Sequence, residues 1–171
     1  MRKPKVKYYY IEHLDIVGKE ENGEHFIFRE GVWKPDTYCC IMDRLVGYDP
    51  FEPEDSPYRI GSTSVMDEIS EIKEKEARRI MADQTVKMLL SIWPEKFSEK
   101  KKEWDKKPGW PAKLVDVQFT LYGYTFTIFP KDIGLTDDGW DQGFMETIQS
   151  DMRKDLENYG ATDVYCCGFI D

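Results

Sequence analysis

Histidine is nearly absent from this chain, cysteine is sparse and no long apolar run occurs, and each shortage removes a class of function. Only His13 and His25 occur in 171 residues. Both fall in stretches that read as strands, so a Cys–His or Ser–His relay has few bases to draw on. The four cysteines form two adjacent pairs, Cys39-Cys40 and Cys166-Cys167. A secreted disulfide scaffold is smaller and denser in cysteine, so the expectation is free, buried thiols. Zinc sites favour Cys-x-x-Cys spacing, whereas adjacent residues on a strand point to opposite faces. The most apolar helical stretch, Met88–Trp93, is far too short to span a bilayer. The basic start Met1–Lys5 is not followed by the apolar run of a signal peptide. No membrane association and a cytoplasmic location are therefore expected. Nucleophile elbows, phosphate loops and dinucleotide fingerprints are also missing. No cofactor, metal or catalytic residue is assigned.

Positive charge is the other shortage. Twenty-four basic residues face thirty-three acidic ones, a net charge of −9. Nucleic acids and anionic membranes bind basic faces, because counterion release needs them, so no direct nucleic-acid contact is expected. The run Lys96–Lys107 has Trp104 and Trp110 nearby, as single-strand binders do. Glu95, Glu99, Glu103 and Asp105 interrupt it, which makes a salt-bridged solvent face the simpler reading.

What the chain does have is enough apolar matter for a core: 40% apolar residues and 14% aromatic. The pattern predicts an α+β fold. Lys7–Val17 and His25–Phe28 read as strands around Asn22-Gly23, a hairpin signal because both residues tolerate positive φ. Tyr38–Leu45 suits a short helix. Three prolines between Asp49 and Pro57 make Tyr48–Gly61 a loop. Ser64 with Asp67 resembles a capping box opening a helical region, with Glu71 in its acidic first turns. Ala77, Ile80, Met81, Gln84, Met88 and Ile92 then recur at helical spacing. Pro94 is expected to end or kink that helix, before a second, solvated one from Phe97 to Lys107. Lys107–Pro111 reads as a connector, giving an N-terminal hairpin and helical region over 1–107, a link at 108–112 and a C-terminal unit over 113–171.

That last unit reads as strand–strand–helix–strand. Val115, Val117, Phe119 and Leu121 alternate onto one face, Tyr122-Gly123-Tyr124 turns the chain, and Thr125–Phe129 returns. Trp140, Phe144, Ile148, Met152 and Leu156 stripe a helix over 140–159, with Asp138 as N-cap and Gly160 after its end. Thr162–Ile170 closes as a strand.

Two acidic constellations carry the functional reading. Asp132, Asp137, Asp138, Asp141 and Glu146 miss the spacing of a calcium loop, and a helix N-terminus is a sufficient reason for acids there. The proline-rich loop sets Asp49, Glu52, Glu54 and Asp55 among Phe51 and Tyr58. Aromatics anchor interfaces and charges steer partners to them. With Asp151 and Asp155 expected on an outward helix face, these residues form the candidate binding surface. The expected function is a non-catalytic protein-binding module, an acidic inhibitor or immunity-type protein engaging a basic partner such as a nucleic-acid-handling protein. The alternatives are a small enzyme using the loop carboxylates, or a structural subunit of a larger assembly.

Overall fold

Strand formation starts where tyrosine and isoleucine fill consecutive positions and a two-residue reversal is possible. The structure, a computed structural model, describes residues 5–46, 69–104, 110–135 and 140–170. The fold is α+β and divides into two compact units, Met1–Met81 and Ala82–Asp171.

In the first unit, Lys7–Ile11 (β1), Ile16–Glu21 (β2), Glu24–Arg29 (β3), Val32–Pro35 (β4) and Ile69–Ile72 (β5) form a five-stranded sheet. Its order is β4-β3-β2-β1-β5 and every pairing is antiparallel. The expected hairpin at Asn22-Gly23 is present, with φ of 55° and 79°. Those values fit a type I′ turn, whose twist matches that of the flanking strands. A second reversal of the same kind at Glu30-Gly31 adds β4. The stretch expected as one strand from Lys7 to Val17 is two. Residues 12–15 turn the chain, Asp15 at φ 51° donating its N–H to the Glu12 carbonyl at 3.2 Å.

Register sorts the side chains. Tyr9, Ile11, Ile16, Gly18 and Ile27 share one face. The helix Cys40–Val46 (α1) lays Ile41 into a core with Tyr9, Ile11, Ile16 and Ile27. The Asp36 carboxylate starts α1, accepting from the Cys40 and Ile41 N–H groups at 3.0 and 2.9 Å. Helix termini need such acceptors. Gly18 exists for this packing: a Cβ there would lie 2.6 Å from the Ile41 Cδ1.

β5 corrects the helical reading around Glu71. Isoleucines at 69 and 72 and the free edge of β1 win that segment for the sheet. The helix Glu74–Trp104 (α2) then runs through Pro94, which neither ends it nor separates Phe97 from it. An interior proline costs roughly 3 kcal/mol. Trp93 and Phe97, both fully buried and stacked at 6.0 Å between centroids, anchor the helix on either side of it. Fully burying a large apolar side chain is worth about 1.5–3 kcal/mol, so the pair offsets the loss. The boundary between the two units falls inside α2.

In the second unit, Pro111–Leu121 (β6) is the central strand of a four-stranded sheet with Tyr124–Ile128 (β7), Trp140–Asp141 (β8) and Thr162–Ile170 (β9). β9 pairs along one side of β6, while β7 and β8 share the other. The helix Gln142–Asn158 (α3) supplies the predicted stripe from Phe144 onward, with Phe144, Ile148, Met152 and Leu156 all buried, whereas Trp140, expected as its first residue, belongs to β8. Its N-cap is Asp141, which accepts from the Phe144 N–H at 2.8 Å; Asp138, the residue expected there, lies outside the described residues. A bulge between Leu114 and Asp116 shifts the alternation of β6. Leu114, Val117, Phe119 and Leu121 therefore form the core face, and Val115 does not join them as expected.

Filling the Gly18 notch tests the packing of α1 on the sheet. Gly18→Val is expected to destabilise the protein by about 1–3 kcal/mol through overpacking. Gly18→Ala should cost less when Ile41→Val removes the methyl it meets, a coupling that urea unfolding of the two single variants and the double will reveal.

Candidate functional site

Of the eight residues expected to form a binding surface, Asp49, Phe51, Glu52, Glu54, Asp55 and Tyr58 lie outside the described residues. Asp151 and Asp155 are described, and neither sits free on an outward face. They flank the apolar stripe of α3 and meet a row of α2. Asp155 accepts from the Trp93 indole Nε1–H at 2.8 Å and pairs with the Lys96 ammonium at 3.1 Å. One turn along, Asp151 pairs with Lys100. Four-residue spacing on both helices, running in opposite senses, makes the two pairs possible. Trp93 is fully buried, so its N–H needs an acceptor, and Asp155 supplies one.

Two further acids of the cluster between Asp132 and Glu146 hold local structure. Asp132 accepts from the Phe129 N–H at 2.8 Å in the 3-10 turn Pro130–Ile133, and Glu146 accepts from the Gln142 side chain at 3.0 Å. No three His, Cys, Asp or Glu residues converge as metal ligands among the described residues. Asp116 Oδ1 is buried without a hydrogen-bond partner beside the β6 bulge, opposite Cys167.

All four cysteines are free, but the expectation that they are buried needs correction. Cys39 is exposed and the other three are half-buried. Burial pushes the Cys40 thiol above its ordinary pKa, and the Asp36 carboxylate adds to the rise. Burial also raises Cys166, against the opposing pull of the Arg153 guanidinium. A raised pKa removes thiolate and with it nucleophilicity.

The first unit carries an aromatic face that sequence reading did not assemble. Tyr8, Lys19 and Phe26 stand in one rung on the side of the sheet opposite α1, with Phe28 and Trp33 in the next. The Lys19 ammonium lies 4.5 Å from the Trp33 ring centroid and 5.4 Å from that of Phe26, and it pairs with Glu21 at 3.2 Å. The cage thus already holds a cation of its own, which anchors neighbouring strands. At the β1–β5 edge, Val6, Lys7, Tyr8, Glu71, Ile72, Lys73 and Glu74 line an open groove of about 620 Å³. Two lysines against two glutamates give that groove no dominant charge. Tyr10 donates to Asp15 at 2.6 Å, and that hydrogen bond, with burial and the carboxylate charge, pushes the phenol up to about 12.

In the second unit the overlooked feature is β9. Tyr165 and Phe169 are exposed on its outer face, 62% and 47% accessible. The signal was in the sequence: Val164–Ile170 contains no charged residue and no proline.

Comparison with protein-family models, with curated proteins and with solved structures finds no match to this chain. Function must therefore be argued from the residues themselves.

Asp155→Ala should destabilise by about 1–3 kcal/mol, because it strands a buried indole donor. Lys96→Ala, which removes only a partly exposed pair, should cost less than about 1 kcal/mol. Chemical denaturation followed by tryptophan fluorescence will separate the two. Tyr10 makes a pH prediction. Its folded-state pKa lies above the unfolded one, so its contribution is full below pH 10 and is lost as pH rises toward about 12. Ultraviolet titration of tyrosinate should show a late-ionising phenol that Tyr10→Phe removes.

Proposed function

We propose that this chain is a non-catalytic, cytosolic protein-binding module that engages a basic protein, in the manner of an acidic inhibitor or immunity-type protein. One observation carries the reading: negative charge is segregated. Residues 47–68 hold six acids against the single base Arg59, and residues 132–171 hold ten acids against Arg153 and Lys154, so two acidic blocks flank a more basic centre. In the second block Asp132, Asp141, Asp151 and Asp155 already have internal partners, so the reading rests on the proline-rich segment. There Asp49, Glu52, Glu54 and Asp55 supply attraction, and Phe51 and Tyr58 supply aromatic anchors. Prolines at 50, 53 and 57 limit the conformations available to that segment, which lowers the entropy lost on binding. Four free thiols suit a reducing compartment. A basic partner, such as a protein that handles nucleic acid, complements this charge, and nucleic acid itself does not.

The test is capture from lysate of the native host by the immobilised chain, at low and high salt, with the retained proteins identified by mass. Basic proteins should be retained at low salt. A chain carrying Asp49→Asn, Glu52→Gln, Glu54→Gln and Asp55→Asn should bind the same protein at least about tenfold more weakly, mainly through a slower on-rate, and with a flatter salt dependence. Equal capture by the neutralised chain, or no basic protein retained, would overturn the reading.

A further inference from the structure

β9 is an edge strand: among the described residues it pairs only with β6. Exposed edges are ordinarily protected by lysine, proline or a bulge, because unpaired N–H and C=O groups recruit another strand. β9 has a bulge at its start, where Asp163 takes φ 54° against the register shift of β6. Beyond it, Val164–Ile170 reads VYCCGFI, with none of those devices.

The two faces of this strand differ. Cys166 and Gly168 stand opposite Val117 and Leu114, on the core side that α3 covers. The contact is close, since a Cβ on Gly168 would lie 2.7 Å from the Met145 Sδ. Tyr165, Cys167 and Phe169 therefore project together from the opposite face.

We propose that a second copy of this chain adds to this edge, antiparallel, about a twofold axis passing between the two Cys167 residues. The register is self-complementary. Antiparallel pairing centred on Cys167 sets position 165 against position 169, so each Tyr165 faces Phe169 of the second copy, and aromatic cross-strand pairs are favourable. Adjacent β9 strands would then complete one continuous sheet, an isologous contact of the kind that closes a dimer.

Charge limits where two copies can meet. Each copy carries −9, so two copies repel except along an uncharged seam, and Val164–Ile170 is such a seam. On α3, Arg153 reaches the Cys166 sulfur and is exposed on the β9 side. Glu146 is exposed seven residues earlier, nearly two full turns, and so lies on that same side of the helix. The axis exchanges the level of Cys166 with that of Gly168, and Met145 and Gln149 stand over Gly168. Arg153 of each copy is thereby carried to the level of Glu146 of the other, forming two symmetric opposite-charge contacts.

Sedimentation of the full chain over about 1–100 μM should show a reversible species of twice the 20.2 kDa monomer mass. Tyr165→Lys with Phe169→Lys should give a monomer that keeps its circular dichroism spectrum and melts at a temperature independent of concentration, because both side chains are exposed. Arg153→Glu should weaken self-association at least about tenfold, and Glu146→Arg in the same chain should restore it. In a chain whose only thiol is Cys167, a short bismaleimide should link two copies. A monomer at every concentration, a dimer that survives the two lysines, a charge exchange that restores nothing, or a failure to cross-link would each overturn the proposal.

Discussion

A two-residue reversal between antiparallel strands works only where both residues accept positive φ. Asn22-Gly23, Glu30-Gly31 and Tyr122-Gly123 all meet that condition. Because side chains alternate strictly along a strand, fixing the turn fixes the face that each residue sees. The turn at Asn22-Gly23 puts Gly18 opposite Ile27, beneath Ile41 of α1, and leaves Lys19 beside Phe26 on the other side. The turn at Tyr122-Gly123 sets Phe119 against Phe126, stacked at 5.4 Å, under the helices of the second unit. A slip of one residue at either turn would exchange core for surface along its strands.

The acids of an acidic protein do different kinds of work. Asp36, Asp132 and Asp141 satisfy backbone N–H groups where helices begin. Asp155 satisfies the buried Trp93 N–H and, together with Asp151, ties α3 to α2. These carboxylates are spent on the fold. Net charge is therefore a poor guide to a binding surface until those internal obligations are set aside, and the proline-rich segment stands out once they are.

The fold was legible wherever a local rule decided it. The stripe of α3, the strand Thr162–Ile170 and the reversal at Asn22-Gly23 followed from periodicity and turn chemistry. Long-range packing decided the departures. Glu71 belongs to a strand because β1 offers an edge, which no local pattern announces. Pro94 stays within α2 because Trp93 and Phe97 are both buried on it. Val115 loses its place on the core face to a bulge that only the pairing with β9 reveals. The outward placement expected of Asp151 and Asp155 failed for a related reason. A helix flank reads as solvent-exposed until a second helix is known to pass beside it. The aromatic cage around Lys19 needed the register of four strands, and residue spacing alone could not assemble it.

The pairing of β6 with β9 also bears on how the second unit assembles. β6 meets β7 across a turn of two residues, but β9 follows it only after α3, some forty residues further along the chain. Closing so long a loop costs entropy before any contact repays it, so this pairing is expected to form after the β6–β7 hairpin. Until it forms, the core side of β6, with Leu114 and Val117, is left open along one edge. The strand that completes it is uncharged from Val164 to Ile170, so until then it can pair with a wrong neighbour. The second unit is therefore open to strand mispairing until β9 docks.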